Sequence, residues 1–255
     1  MKNLKTADYD TETTQSYGSN WTPKNTDGNT EIPMWACSPW EAIPNVLVIA
    51  AEHTNTTWAQ KHAQVLSDVE RSYARRFATR QLCQRWSASR ILLRTVLADG
   101  LNTHPEHLEF ERSAAGKPEL GGVHKNMMSF SLAHTERWTV IATSFHNSLG
   151  VDAEKRVTAE VAAELTGMFT PIEQRQVANL SANKLQTVIT QLWTRKEAYL
   201  KALGTGLLRD PGLDTIGVEL QPRIPSNAPV GTTIADLPVL PGTDIHGALC
   251  AMSRE

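Results

Sequence analysis

The sequence predicts an α+β protein built from two similar halves. Helical periodicity followed by a run of short strands occurs before about residue 150, and the same order recurs after it. The chain has 255 residues, 40% of them hydrophobic, which suffices for one large domain or two half-size ones. Because no direct internal sequence repeat is visible, the expectation of similar halves depends on the order of the elements.

The N-terminal segment differs in composition from the rest. Residues 1–30 are rich in Thr, Asn, Asp and Gly and contain a single Leu and no Val, Ile or Phe, so they cannot bury enough surface to fold alone. We predict a flexible N-terminal extension over residues 1–44. As an alternative, Trp21, Trp35 and Trp40 could dock part of it on the rest of the protein.

Charge and cysteine content argue against several classes of protein. The 25 basic and 27 acidic residues give a net charge of −2, so no global field attracts nucleic acid or an anionic membrane. The three cysteines, Cys37, Cys83 and Cys250, fit neither a disulfide framework nor a zinc site, which favours a reducing cytosol. No apolar run approaches the roughly 20 residues of a membrane span. We therefore expect a cytoplasmic protein without nucleic-acid or membrane partners.

The first half shows one strand, a long helix and a hairpin. Residues 45–53 contain a continuous apolar run that is rich in β-branched residues, which predicts a strand. Apolar residues at steps of three to five predict a helix over residues 67–101, ended by Gly100. Residues 127–133 and 138–144 flank a polar turn, as in a β-hairpin.

The second half begins with a strand and contains two helix signals. The strand "LGVDAE" follows a turn at residues 146–148. The run Thr170-Pro171-Ile172-Glu173 has an N-cap, a proline at the first helical position and a capping-box acid. Residues 184–204 place an apolar stripe on a helix that ends at Gly204-Thr205-Gly206. The last ~45 residues predict strands and Pro-rich turns.

Three carboxylates form the first candidate site. Asp152 and Glu154 alternate along a strand, so both project to one face. Glu197 and Lys201 are i, i+4 neighbours on the late helix, and this glutamate supplies a third carboxylate. Hard oxygen ligands of this kind suit Mg²⁺, which takes one or two protein carboxylates plus phosphate oxygens. The alternatives are a solvated strand end and an ordinary surface Glu–Lys pair.

Basic residues form a second group of candidates. Lys196 interrupts the apolar stripe of the late helix and therefore needs an anionic partner. Lys117 lies in a Gly116-Lys117-Pro118 turn, and His134 lies at a strand end; either could contact a phosphate or simply belong to a turn. Arginines recur without an intervening acid, either to bind phosphate or as a solvated face. They are Arg71, Arg75, Arg76, Arg80, Arg85, Arg90 and Arg94.

The order and spacing of these segments are distinctive. The segments "GVDAE" (150–154) and "WTRKEAYLKALGTGL" (193–207) resemble the signature pair of the 4′-phosphopantetheinyl transferase superfamily. The segments "AGKPEL" (115–120), "FSLAHTERW" (130–138) and "MFTPIE" (168–173) are similar to three further family segments. The resemblance covers roughly residues 65–255.

Length and layout resemble the surfactin-synthetase-activating subclass. The resemblance implies a monomer with a pseudo-twofold pair of α+β halves. Residues 45–149 would bind the adenosine and 3′-phosphate end of coenzyme A (CoA), and residues 150–255 would carry the metal and catalytic motifs.

The resemblance also implies a reaction and roles for residues. The enzyme would transfer 4′-phosphopantetheine from CoA to a serine of an apo carrier protein, releasing 3′,5′-ADP. Asp152, Glu154 and Glu197 would hold Mg²⁺, or Mn²⁺ in its place. Lys201, with Lys196, would neutralise the α- and β-phosphates, and Glu197 or Glu173 would take the proton of the serine.

The 3′-phosphate and adenosine end would contact a further set of side chains. That set is Gly116, Lys117 and His134, with Arg76, Arg80 and Arg85 as candidates among the arginines. Ser131 and Ala133 depart from the family pattern, so backbone groups would replace two polar side-chain contacts there.

Two questions stay open at this level. The carrier could belong to a fatty-acid, polyketide, nonribosomal-peptide or polyunsaturated-lipid synthase. The alternative to an enzyme is a non-catalytic protein that binds CoA or phosphate, although such a protein would not need three carboxylates. A generic Mg²⁺-dependent phosphotransferase would use a G-x-x-x-x-G-K-[ST] loop, which the sequence lacks.

Overall fold

A computed structural model describes residues 34–37, 43, 45–52, 56–135, 137–238 and 243–254. The predicted docking of Trp21 and Trp40 lies outside the described residues, as does most of the predicted extension. Within these ranges, no helix has the length and apolar character needed to cross a membrane.

The first half combines a four-stranded sheet with one long helix. The elements are β1 (Met34–Cys37), β2 (Leu47–Glu52), α1 (Thr56–Lys61), α2 (Asp68–Ala74), α3 (Arg80–Leu101), β3 (Phe110–Arg112), β4 (Pro118–Leu120), β5 (Ser129–His134) and β6 (Trp138–Ser144). The strands of the sheet run antiparallel in the order β1-β2-β6-β5, and a small separate hairpin pairs β3 with β4.

The second half places one long helix against a three-stranded sheet. The elements are β7 (Asn147–Lys155), α4 (Ala159–Thr166), α5 (Pro171–Ala178), α6 (Ala182–Leu203), β8 (Thr233–Leu237) and β9 (Ile245–Ser253). The strands of the sheet are antiparallel in the order β7-β9-β8.

The two halves share one topology, as the sequence predicted. Each runs from a strand through short helices to a helix of 22 residues, and later to two antiparallel strands. The first half has the hairpin β3-β4 inserted between α3 and these two strands. In each sheet the last of these three strands lies in the middle, giving β2-β6-β5 and β7-β9-β8. The additional strand β1 extends the first sheet at the free edge of β2.

The long helix predicted over residues 67–101 is two helices. Ser67 caps α2 in a capping box with Glu70, and α2 ends at Ala74. Thr79 has an extended backbone, and its side chain accepts a hydrogen bond from the backbone N–H of Leu82, which starts α3. Gly100 lies inside α3, which ends instead at the left-handed residue Asn102. The prediction missed the second N-cap because a β-branched threonine also fits a helix interior.

The predicted hairpin, the predicted start of α5 and the predicted end of α6 agree with the structure. β5 and β6 pair antiparallel through residues 129–134 and 138–144. Thr170 and Glu173 form the predicted capping box at the start of α5. Gly204 ends α6 with φ 74°, a left-handed conformation that favours glycine.

Close contact between α6 and β7 depends on Gly150. A Cβ atom at Gly150 would lie 1.9 Å from the carbonyl oxygen of Ala198 and 2.5 Å from the backbone nitrogen of Ala202. The backbone of α6 therefore rests directly on that of β7. This contact brings the motif of the strand and the motif of the helix to one place.

The two sheets meet through β5 and β7. The backbone N–H of Val151 donates to Ser131 Oγ at 2.9 Å across the junction. Val140 and Ala142 of β6 pack with Leu149 of β7 in one buried cluster. On its other face, the first sheet packs against α3. Hence every residue of β6 is buried, including the polar residues Thr139, Thr143 and Ser144.

Two predicted boundaries need correction. Residues 34–37 of the supposed extension form β1 and pair with β2, because β2 otherwise has an unpaired edge. The division between the halves falls before β7, which begins at Asn147 rather than at residue 150.

Candidate active site

A cavity of about 340 Å³ lies where the two halves meet. The first half contributes β5 and the turn between β3 and β4, and the second half contributes the end of α6 and the loop after it. The described lining residues are Ala115, Gly116, Lys117, Pro118, Phe130, Ser131, Leu132, His134, Lys201, Gly204 and Gly206. Gly116, Lys117, His134 and Lys201 were all singled out from the sequence.

The turn between β3 and β4 holds Lys117 in place. Gly116 has φ 84°, and the backbone N–H of Ser113 donates to the carbonyl oxygen of Lys117 at 2.8 Å. Lys117 Nζ donates to the carbonyl oxygens of Leu149 and Lys201, both at 2.8 Å. Burial is the main reason why the pKa of Lys117 falls to about 8.

His134 lies at the end of β5 on the wall of the cavity. Its Nδ1 atom is 3.2 Å from Ser89 Oγ on α3, so the ring is oriented by a hydrogen bond from the long helix. Partial burial and then the positive charge of Lys201 lower the pKa of His134 below its usual value. The imidazole is therefore neutral at pH 7 and can exchange hydrogen bonds with a ligand.

Lys201 connects the cavity with the acidic residues. Its Nζ atom donates to Asp152 Oδ1 at 2.7 Å and to the carbonyl oxygen of Val151 at 3.1 Å. Asp152 Oδ2 is buried and has no hydrogen-bond partner among the described residues. Burial raises the pKa of Asp152, although Lys201 opposes the rise. This aspartate thus has one oxygen available for a further ligand.

The negative charge of Asp152 affects the pKa values of both Glu154 and Glu197. Burial and then the charge of Asp152 raise the pKa of Glu154 to about 7, with a smaller contribution from Glu197. Burial and Asp152 also raise the pKa of Glu197. The three carboxylates repel one another, and Lys201 neutralises one charge. Such an excess of negative charge favours binding of a cation.

The donor set fits a divalent metal ion, although it is not preassembled. Within the described ranges, no three acidic, histidine or cysteine side chains already converge as a metal cluster. The available oxygen of Asp152 and the raised pKa values of Glu154 and Glu197 nevertheless match what a hard cation such as Mg²⁺ would relieve.

Lys196 and Glu173 do not have the predicted roles. Lys196 is 1% exposed, and its three donors bind Glu173 Oε2 at 2.8 Å and the carbonyl oxygens of Pro211 at 2.9 Å and Asp214 at 2.7 Å. No donor remains for a phosphate. The expectation that this lysine needs an anionic partner is correct, but the partner belongs to the protein.

Glu173 is equally committed to the interior. Its side chain is 0% exposed. Oε1 accepts from the backbone N–H groups of Ile216 and Gly217, and Oε2 accepts from Thr170 and Lys196. Both oxygens are therefore occupied and out of reach of a substrate. Glu173 therefore cannot serve as the base, and Glu197 remains the candidate.

The arginine run divides into an internal and an external group. Arg90 and Arg94 form ion pairs with Glu70, the acid that directly precedes the run, and Arg94 also donates to two carbonyl groups. Arg76 and Arg80 are exposed and Arg85 is half-buried, and the described cavity lining includes none of these three. Of these three arginines, Arg85 is the nearest in the sequence to Ser89, which contacts the cavity residue His134. Arg85 precedes Ser89 by one helical turn.

Sequence reasoning assigned no binding role to Ser89 or Gly206, and it expected backbone groups to replace the side-chain contact of Ser131. Ser131 lines the cavity and holds Val151, so its hydroxyl joins the two sheets. Ser89 orients His134, and Gly206 lines the cavity with φ 50°. The Gly204-Thr205-Gly206 sequence after a lysine-bearing helix is the available signal, although the same sequence also marks the end of α6.

Comparisons with known proteins agree with this layout. Residues 52–146 match the family model described as 4′-phosphopantetheinyl transferase, N-terminal. Residues 148–236 match the model of the 4′-phosphopantetheinyl transferase superfamily. The boundary between the two matches coincides with the start of β7.

Individual relatives point the same way. The chain is 29% identical over 192 residues to the 4′-phosphopantetheinyl transferase HetI of Nostoc sp., covering 74% of this chain and 80% of the relative. It is 29% identical over 154 residues to a phosphopantetheinyl transferase of Thraustochytrium sp., covering 56% and 54%. It is 28% identical over 132 residues to the human L-aminoadipate-semialdehyde dehydrogenase-phosphopantetheinyl transferase, covering 47% and 42%. The chain thus spans about half the length of the last two.

Proposed function

The chain belongs to the 4′-phosphopantetheinyl transferase superfamily, and we propose that it transfers the phosphopantetheine arm of CoA to a carrier-protein serine in the cavity between its halves. The observation that carries this assignment is the ion pair between Lys201 and Asp152 at the cavity edge. It joins a phosphate-binding cation to the acidic cluster. The shared topology of the halves supports the pseudo-dimeric, surfactin-synthetase-activating type, acting as a monomer.

The cavity would bind the phosphate groups of CoA. Lys117, His134 and Lys201 present two cations and a neutral imidazole to one space, which suits a multiply phosphorylated ligand. By resemblance, Lys117 and His134 would face the 3′-phosphate and adenosine end. Arg85 is the arginine best placed to add to them. In this arrangement the first half binds the nucleotide and the second half carries the chemistry.

The acidic cluster would hold a divalent metal ion. Asp152, Glu154 and Glu197 would be the ligands, with Asp152 Oδ2 as the available buried oxygen. Mg²⁺ bound there would polarise the phosphate and orient it for substitution.

The side chains of the chain itself would supply the remaining functions. In phosphoryl transfer, the protein mainly positions the groups and neutralises charge. The serine oxygen attacks the β-phosphorus of CoA, and 3′,5′-ADP leaves. Lys201 stabilises negative charge on the leaving phosphate. Glu197 accepts the serine proton, because both oxygens of Glu173 are already occupied by partners within the protein.

The assignment can be tested with a panel of apo carrier proteins. Each carrier from a fatty-acid, polyketide, nonribosomal-peptide or polyunsaturated-lipid synthase is incubated with the protein, CoA and Mg²⁺. Intact-mass spectrometry should show one added phosphopantetheine group on at least one carrier, with 3′,5′-ADP released. Binding of CoA without modification of any carrier and without ADP release would instead favour the non-catalytic alternative.

A further inference from the structure

Lys117 belongs to the first half, but its side chain donates hydrogen bonds to the second half. Its ammonium group contacts the carbonyl oxygens of Leu149 on β7 and Lys201 on α6, both at 2.8 Å. An ammonium group has three donors, so one remains beyond these two. The side chain also lines the cavity. Lys117 therefore touches both elements that carry the acidic cluster and the space where CoA would bind.

Hydrogen bonds hold the backbone on both sides of Lys117 within its turn. The backbone N–H of Lys117 donates to Ser113 Oγ at 3.1 Å, and its carbonyl oxygen accepts from the backbone N–H of Ser113 at 2.8 Å. Arg112 Nη1 donates to the carbonyl oxygen of Gly116 at 2.8 Å. Because the backbone of Lys117 is held in this way, its side chain can fix the position of another element.

One of the two carbonyl groups that Lys117 contacts, that of Lys201, lies in the last turn of α6. Carbonyl groups in the last turn lack the usual intrahelical donors, and a cation near this end is favourable. Lys201 O accepts a hydrogen bond from the backbone N–H of Gly204 at 3.2 Å in addition to that from Lys117. The same residue sends its side chain to Asp152. Fixing the backbone of Lys201 therefore fixes the origin of that side chain.

We propose that Lys117 is a positioning residue that holds the last turn of α6 against β7 and thereby keeps Lys201 aligned with the acidic cluster. This inference rests on the proposed function and adds a role to the one implied by resemblance. A lysine that only binds the 3′-phosphate acts through affinity, so its loss raises the KM for CoA. A positioning lysine acts on the chemical step, so its loss lowers kcat with CoA and with dephospho-CoA alike.

The kinetic test compares three variants. Lys117→Met removes the donors and keeps the length of the chain, Lys117→Arg restores donors, and Lys125→Met is the control. Lys125 is an exposed lysine of the same half, paired with Glu111 on the surface. With both CoA forms, Lys117→Met should lower kcat by about 10- to 100-fold, as for a lost charged hydrogen bond. Lys117→Arg should recover part of the loss, and Lys125→Met should match the wild type.

A second readout does not depend on catalysis. The backbone N–H groups of Gly204 and Thr205 close α6 on Lys201 and Leu200, both at 3.2 Å, and their hydrogen exchange reports on this turn. In Lys117→Met, exchange should accelerate there. It should not change at Thr103, which closes the equivalent helix α3.

Each outcome decides the matter. A raised KM for CoA with kcat and exchange as in the wild type would overturn the positioning role. Faster exchange across both helices, with a lower unfolding temperature, would also overturn it, because it shows general loss of the fold. If the wild type modifies no carrier, the proposed function fails, and the exchange comparison still decides whether Lys117 holds α6.

Discussion

Neighbouring residues on α6 serve different purposes because a helix turns about 100° per residue. Lys196 points into the interior and binds Glu173, whereas Glu197 is half-buried near Asp152. Burial opposes ionisation of Glu173, but Lys196 and the backbone N–H groups of Gly217 and Ile216 together hold its pKa below the usual value. The ion pair therefore joins α5, α6 and the following loop.

Glu173→Gln should destabilise the protein without removing its chemistry. The substitution leaves Lys196 as an uncompensated buried charge, which typically costs about 3–5 kcal/mol. Chemical denaturation measures this loss. Because the folded-state pKa of Glu173 is depressed, its contribution is present above the pKa of an unfolded glutamate. It should disappear as the pH falls through the folded-state pKa.

A matched substitution and a double variant sharpen this test. Glu164→Gln changes an exposed glutamate on α4 and should leave stability nearly unchanged. Lys196→Met combined with Glu173→Gln should cost less than the sum of the two single changes, because the residues interact directly. If Glu173→Gln keeps full stability and loses kcat at 25 °C, our structural interpretation is wrong and this residue is catalytic.

At the scale of elements, the site depends on how closely α6 approaches β7. The two backbones touch at Gly150, and the acidic residues follow two and four positions later on the same strand. A wider separation would move Glu197 and Lys201 away from Asp152 and Glu154. The glycine of the strand motif therefore has a packing role that supports the chemistry of the residues after it.

Gly150→Ala should be among the most damaging single substitutions. The added methyl group would meet backbone atoms of Ala198 and Ala202, which cannot rotate away as a side chain can. Overpacking typically costs about 1–3 kcal/mol, and we expect the upper end or more here, with a loss of transfer activity. Thermal unfolding and carrier modification measure the two effects.

The control is Gly167→Ala, at the C-terminal end of α4. Gly167 has φ −63°, and an added Cβ would lie 3.3 Å from the carbonyl oxygen of Glu164. This position already has a helical backbone, so we expect a change within about 1 kcal/mol. Equal stability of the two variants would show that the close approach at Gly150 is not needed.

At the scale of the whole molecule, the two halves have the same topology but differ in how they use their charged residues. In the first half, α3 directs Arg90 and Arg94 to Glu70 in an internal network. In the second half, α6 directs Lys201 and Glu197 toward the acidic strand β7. The cavity opens at the junction, where β5 meets β7, so a ligand would contact both halves at once.

The sequence predicted much of this arrangement because local signals were consistent. Alternating residues placed Asp152 and Glu154 on β7, and the stripe and glycine end defined α6. The ion pair between Lys196 and Glu173 could not be predicted, since it depends on how α5 packs beside α6. The partners of Lys117 could not be predicted either. They are backbone carbonyl groups of the other half, and a pattern of side chains in the sequence does not indicate such contacts.

The most direct test of the account is the transfer rate of Asp152→Asn. The variant keeps the shape of the side chain and an acceptor for Lys201 but removes the charge beside the available oxygen. Asp68→Asn is the control, because Asp68 is exposed and pairs with Arg71 on the surface. The rate is measured by intact-mass spectrometry of an accepted apo carrier, with CoA and a titration of Mg²⁺.

We predict that Asp152→Asn lowers the transfer rate on the order of 100-fold or more, as expected for loss of a group that binds the charge of the reacting phosphate. Its unfolding temperature should not fall, because a buried carboxylate with a raised pKa is costly to keep ionised. Chelation of Mg²⁺ should stop transfer by the wild type and by Asp68→Asn. Transfer by Asp152→Asn at the wild-type rate, or transfer by the wild type that persists in excess chelator, would contradict the account.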